Sequence, residues 1–402
     1  MLVGPSCDSR SDLVLVQFSK LATAEPDTDH RSRHAQVLQR QPIVNMRLLL
    51  LSWFCSQVFL AQSVEDLPDE NLKVEEVIEK VGPGLLKFAK KSLDDGMADF
   101  TQSMYLHLSQ QPDVSNFVFS PLSIHSSLSM LYLGTTHGSN TSDELAIALG
   151  IINNRNFVKI AYNDLVRTYR EEENFKYGNN FWVQNGFSVN SSFAKLVKDN
   201  MNSDVANLDF ADAESVRRVN NWVANMTGGK IDNLVDSFSA DTSLFIANAL
   251  YFNEKWEIPF LSKDTVTGEK LREVFRTSDN RFVNAPFIEQ KSSRIGYEKI
   301  NSSKSELEVI TIPYENQLFE MQIILPKDVN GMKRLESEML LSNTKDLNNG
   351  NAGFFNIFTK SSREEPDEFI EDVFLKMPTF KIKTDMDAAE PLRKLGVRRV
   401  CV

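Results

Sequence analysis

The chain has 402 residues, 42% hydrophobic and 25% charged, with 44 Lys+Arg against 55 Asp+Glu and a formal net charge of −11. That is ample apolar material for a large core, and the acidic balance excludes a protein that grips nucleic acid along a basic stripe. The 3 cysteines, Cys7, Cys55 and Cys401, have no metal-ligand spacing and leave the body of the chain bare, which excludes a disulfide framework.

Residues 1–45 are polar and patternless. His30 and His34 lie four apart there, but no Glu sits beside the first as a zinc-protease helix requires, so they read as part of a polar tail. Arg47, the apolar run Leu48 to Leu60 and the small-residue site Ala61-Gln62-Ser63 have the layout of a secretory signal peptide. The run is too short and interrupted for a membrane span, which needs about 20 apolar residues. Met46 directly precedes it. The expected organisation is therefore an upstream extension over 1–45, a signal peptide over 46–63, and a mature start at Val64. Residues 64–92 read as a presequence, weakly amphipathic at Val74, Val77, Ile78 and Val81 and broken at Gly82-Pro83-Gly84.

Leu93 to Ser109 predicts a helix with Phe100, Met104 and Leu108 on one face. Phe117-Val118-Phe119 is a short strand-like run. Ser120 offers an N-cap hydroxyl, and Pro121 suits the first helical position because its missing N–H would be unpaired there. Ile124, Leu128 and Leu131 form the apolar face of that helix, and Gly134 stops it. Thr141-Ser-Asp-Glu144 reads as a capping box opening another helix, with Leu145, Ala148 and Leu149 inward. A strand is predicted at Asn179–Gln184, a helix at Phe193–Met201, and a helix at Ser215–Met226 with Val216, Val219 and Val223 on one face. Leu244–Phe252 is nearly unbroken in apolar character, as a strand buried on both faces would be. Shorter strands follow at Glu308–Ile312, Phe319–Leu325 and Glu371–Met377, with a polar loop at Asn343–Ala352. Helices first, strands later and no βαβ alternation indicate an α+β fold.

The sequons Asn140-Thr-Ser, Asn190-Ser-Ser, Asn225-Met-Thr and Asn301-Ser-Ser make Asn140, Asn190, Asn225 and Asn301 candidate glycan acceptors in a secreted chain. Asn301, in a polar Ser-rich stretch, is the best surface candidate. No Gly-x-Ser-x-Gly elbow, His-Glu-x-x-His helix or Gly-x-Gly-x-x-Gly loop occurs, so nothing indicates an enzyme, a cofactor or a metal. Lys195, Lys198, Arg217 and Arg218 are too sparse for a polyanion site.

Phe119-Ser-Pro-Leu-Ser-Ile124 and the series Gly134, Gly138, Thr141, Glu144-Leu145 resemble the serpin family. The resemblance continues in order through Asn179-Asn-Phe-Trp-Val-Gln184, Val219-Asn-Asn-Trp-Val223 and Asn248-Ala-Leu-Tyr-Phe252 with Lys255-Trp256. It goes on through Ile312-Pro-Tyr314 with Met321 to Pro326, then Met377-Pro-Thr-Phe-Lys381, and finally Glu390 to Gly396. It implies a serpin-like domain over 93–397, with helices around a large main sheet and smaller sheets beside it. Met377–Lys381 resembles the sixth strand of the main sheet. The implied activity is inhibition of serine proteases by a cleaved bait loop that inserts as an extra strand into the main sheet. Ser120, Ser123 and Asn248 match the family's shutter, a polar cluster beneath the point where the sheet opens, and Trp256 matches its breach.

After Leu395-Gly396-Val397 the family pattern continues into another main-sheet strand, the bait loop and the last core strands. This chain instead reads Arg398-Arg-Val-Cys-Val402. On that reading 398–402 is a non-matching tail and the reactive-centre P1 residue is absent. The chain is then a C-terminally truncated form, inactive as an inhibitor and poorly folded on its own. The expected function is that of a secreted serpin whose partners, in the complete form, are extracellular serine proteases, acting as a monomer. The alternative is a non-inhibitory serpin that serves as a binding protein or decoy.

Overall fold

The computed structural model describes residues 83 to 400, apart from 112–115, 152–153, 171, 240–241, 262–270, 278–280, 302–305, 329–330, 346–371, 381, 383 and 385–387. The extension, the signal peptide, most of the presequence and Cys7, Cys55 and Cys401 lie outside the described residues.

Helix α1 (Pro83–Ser109) begins at Pro83, earlier than the predicted Leu93, because Pro fits a first helical turn and Leu85 and Ala89 complete its buried side. At Gly96 it crosses the turn at Leu149-Gly150 by backbone contact: a Cβ there would lie 2.6 Å from the Gly150 carbonyl oxygen. Helix α2 (Pro121–Gly134) is capped as predicted, the Ser123 N–H donating to Ser120 Oγ at 3.2 Å. Its burial differs from the predicted single face. Leu131 is only half-buried, whereas His125, Ser126, Ser127 and Ser129 are fully enclosed.

Helix α3 (Asn140–Ala148) is capped two residues earlier than expected: Ser139, not Thr141, accepts from the Ser142 N–H at 3.2 Å. Glu144 therefore does not close a capping box. Its carboxylate turns outward and accepts the N–H groups of Arg398 and Arg399 at 3.1 and 3.0 Å and the Arg399 guanidinium. Val400 packs against the main core, so residues 398–400 are built into the fold. Helix α4 (Arg155–Tyr169), not anticipated, is capped by Asn154, which accepts from the Asn156 and Phe157 N–H groups.

The remaining elements are β1 (Phe175–Gln184), α5 (Ser191–Met201), β2 (Ser203–Leu208), α6 (Ala213–Met226), β3 (Leu244–Phe252), β4 (Arg272–Arg276), β5 (Phe282–Ser292), β6 (Gly296–Asn301), β7 (Glu306–Pro313), β8 (Glu320–Pro326), α7 (Gly331–Lys345), β9 (Val373–Pro378) and α8 (Ala389–Lys394). Helix α7 reaches into the stretch expected as a polar loop from Asn343.

The main sheet has the order β2-β1-β3, with β1 parallel to β2 and antiparallel to β3, Asn179 standing directly opposite Asn248. As its composition predicts, β3 is covered on both faces. Ile246 and Leu250 enter the large helical core, while Phe245 and Ala247 share a cluster with Val219 and Trp222 of α6 on the other side. A second sheet, β4-β5-β9, and a third, β6-β7-β8, complete the architecture. Of the stretch Met377–Lys381 expected in the main sheet, Met377 and Pro378 instead end strand β9, and Lys381 lies outside the described residues. Strand β9 pairs with β5, Ile288 opposite Met377 and Gln290 opposite Leu375, because Leu375 and Met377 belong to the aromatic-rich core around Trp256.

Candidate functional site: the polar floor beneath the main sheet

Helix α2 passes beneath the main sheet and presents its serine-rich side to β1 and β3. Small hydroxyl side chains let helix and strands approach closely while supplying partners for strand amides that would otherwise be buried unpaired. Asn248 has no exposed surface. Its Nδ2 donates to Asn179 Oδ1 at 2.7 Å and lies 3.5 Å from Ser126 Oγ. The Ser126 hydroxyl donates to the same Asn179 Oδ1 at 3.0 Å. Asn179 Nδ2 in turn donates to the Tyr177 hydroxyl at 3.0 Å and the Met201 carbonyl at 2.8 Å. Burial pushes the Tyr177 hydroxyl up to about 12, against the hydrogen bonds with Asn179 and Ser126 that pull it down. Asn248 Oδ1, equally buried, has no partner among the described residues.

The predicted shutter residues thus separate into two groups of contacts. Ser120 and Ser123 bond each other, Oγ to Oγ at 3.0 Å, at the start of α2. Asn248 is joined instead to Ser126 and Asn179. Ser126 is next to the SPLS segment in sequence, but its role depends on which side of α2 meets the sheet, and helical spacing of Ile124, Leu128 and Leu131 indicates a different side. Asn179 was visible only as part of a strand.

Beside this floor, His125 joins three helical segments. Its Nε2–H donates to the Leu149 carbonyl at 3.0 Å, which can only accept, so Nδ1 accepts from the Tyr162 hydroxyl at 2.7 Å. The Ser129 hydroxyl lies 3.4 Å from the Tyr162 oxygen. Burial lowers the imidazole to about 4, opposed by the Leu149 carbonyl, and burial raises the Tyr162 hydroxyl well above its ordinary value. The imidazole is therefore neutral.

Trp256 lies apart from the floor, just past the end of β3. It stacks on Tyr314 at 4.5 Å and 12°, meets Phe260 edge-on at 5.4 Å, and is almost fully buried. Of the candidate glycan acceptors, Asn140, Asn190 and Asn225 are exposed, at the first turn of α3, the N-cap of α5 and the last turn of α6. Asn301 ends β6 opposite Glu306, and its side chain lies outside the described residues. Among the described residues no cluster of His, Cys, Asp and Glu could hold a metal ion, and no helix is long and apolar enough to cross a membrane.

A helix running under an antiparallel strand pair, with a buried amide ladder between them and a second helix across the opposite face, defines a serpin-type framework. The family model described as serpin (serine protease inhibitor) matches residues 95–401. The chain is 27% identical over 308 residues to serine protease inhibitor 42Dd of Drosophila melanogaster, covering 75% of this chain and 74% of that protein. It is 27% identical to neuroserpin of Gallus gallus, covering 76% of this chain and 72% of that one. The solved structure of cleaved Serpin 42Da aligns with a TM-score of 0.64 at 24% identity, over 77% of this chain and 76% of that one. The chain belongs to the serpin family, which supports a protease inhibitor by family resemblance, and not an enzyme.

Proposed function

We propose that this serpin inhibits extracellular serine-type endopeptidases by admitting a cleaved reactive loop as a new strand beside β3. The observation that carries the reading is Asn248: it has no exposed surface, and among the described residues its Oδ1 has no partner and no strand pairs the second edge of β3, which ends the main sheet. A buried acceptor without a partner costs about 1–3 kcal/mol, and a donor on an inserted strand would recover it. The Ser126, Asn179 and Asn248 group can exchange partners as the sheet opens, with Ser120 and Ser123 holding the start of α2. Trp256 anchors the far end of β3 where insertion begins.

Export through the segment 46–63 places the protein where its target proteases act. In the complete form a reactive loop follows α8, and the residues written here supply the framework that receives it. The test is to define the 3′ end of the transcript, express the encoded protein in full, and mix it with trypsin-like and chymotrypsin-like proteases. An SDS-stable complex is expected. Cleavage without any complex would overturn the inhibitory mechanism in favour of a binding protein or decoy.

A further inference from the structure

Among the sequons, Asn190-Ser191-Ser192 has both of its reacting ends on the surface: Asn190 and Ser192 are exposed. At the other described sequons the hydroxyl residue is enclosed. Ser142 has no exposed surface, and Thr227 is buried with its hydroxyl donating to the Val223 carbonyl at 2.8 Å.

Asn190 also uses its two amide atoms for separable purposes. Oδ1 accepts from the Ser192 N–H at 2.8 Å, capping α5. Nδ2 donates to no described residue. A substituent on Nδ2 therefore leaves the cap intact. The turn before it is held in place by the Phe187 N–H donating to the Gln184 carbonyl at 3.2 Å, by Asn207 Nδ2 donating to the Phe187 carbonyl at 2.9 Å, and by Gly186 at φ 95°. This turn carries Phe187, a large apolar side chain left 36% exposed three residues before the sequon.

We infer that Asn190 carries an N-linked glycan whose first sugar lies against the Phe187 ring. The donor is a lipid diphosphate-linked oligosaccharide. The sugar C1–O bond to the phosphate breaks, C1 bonds to Asn190 Nδ2, one amide proton is lost, and the lipid diphosphate leaves. Nδ2 keeps its second hydrogen and Oδ1 its cap bond. The C–H face of a pyranose is apolar, and an exposed aromatic ring three residues before the acceptor, on the same turn, gives it a surface to cover. The inference rests on the secretion reading.

The experiment expresses the full chain in insect cells and maps the secreted protein by peptide mass spectrometry after enzymatic deglycosylation in 18O water. Conversion of Asn190 to labelled Asp is expected in most molecules. S192A, which removes the sequon and keeps the Asn190 cap, should remove one glycan's mass from that peptide. F187A should narrow the Tm gap between the glycosylated and the deglycosylated protein. Secreted protein bearing sugar at other sequons with Asn190 bare would overturn the assignment while leaving secretion intact. Protein retained in the cells with every sequon bare would overturn the secretion reading, and the assignment with it. An unchanged Tm gap in F187A would overturn the role of the ring.

Discussion

At Asn248 the strand β3 is held by amides and hydroxyls; just beyond Phe252 the chain is held by rings. Trp256, Tyr314 and Phe260 pack face and edge in a dry cluster, and such packing fits one arrangement well and any displaced one poorly. Around Asn248 the partners are short and polar, and one acceptor has no partner among the described residues. Hydrogen bonds of that kind can be exchanged at small net cost, because a new partner replaces the old. Within a few residues of one strand, the molecule thus combines a fixed anchor with a surface able to change its pairing.

The largest expected effect is at the anchor. Trp256→Ala should cost about 3–5 kcal/mol in denaturant unfolding, through lost burial and the cavity left beside Tyr314. Because Trp256 shares no partner with Asn248, Trp256→Ala and Asn248→Ala should add within about 0.5 kcal/mol. A larger coupling would mean that the two regions act as one and would break the contrast.

Next comes the acid response of the floor's neighbour. Burial lowers the imidazole of His125 to about 4 in the fold, against 6.5 for an ordinary histidine. Above pH 6.5 it is neutral in both states and contributes nothing to pH dependence. As pH falls from 6.5 towards 4 the unfolded chain takes up a proton that the folded one refuses, so about 3 kcal/mol of stability should be lost across that window. His125→Gln should flatten this part of the stability–pH profile; an unchanged slope would show that other groups produce it.

A double-mutant cycle on Asn179 and Asn248 sharpens the polar side of the comparison. Their direct bond predicts a coupling of about 0.5–3 kcal/mol. Asn179→Ala should cost more than Asn248→Ala, because it strands the Asn248 amide and the Met201 carbonyl together. The smallest effect is expected at Glu144. Burial acts to raise its carboxyl, but the Arg398 and Arg399 N–H groups and the Arg399 guanidinium hold it below the usual carboxylate range. Its contribution is present above the ordinary Glu value and fades as pH falls through the lowered one. On this exposed face Glu144→Gln should cost less than about 1 kcal/mol, and hydrogen exchange should show faster amides at Arg398 and Arg399.

Much of the molecule is legible in local chemistry. Ser120-Pro121 opens α2 where a hydroxyl acceptor and a proline belong. The unbroken run Leu244–Phe252 is a strand covered on both faces. The order of such segments marks the family before any fold is seen. The misreadings share a cause. Glu144 sits at the spacing of a capping box, yet backbone N–H groups from the far end of the chain take its carboxylate. Met377 and Pro378 open a stretch that matches a main-sheet strand, yet they pair with Ile288 and Phe287 in the second sheet. In each case a local pattern was satisfied equally well by a distant partner.

The same division runs through the site. Caps, helical spacing and strand composition depend on residues a few positions apart, so SPLS, the Asn248 strand and the family follow from the order of amino acids alone. Which side of α2 lies under the sheet does not. Ile124, Leu128 and Leu131 predict an apolar side, but the helix is enclosed nearly all round, and its Ser126, Ser129 and His125 are buried because polar partners from β1, α4 and the turn after α3 meet them there. Those partners come from across the chain, and burying a polar side chain is tolerable only once they are in place, so the working surface of the floor was settled by the packing of the whole domain.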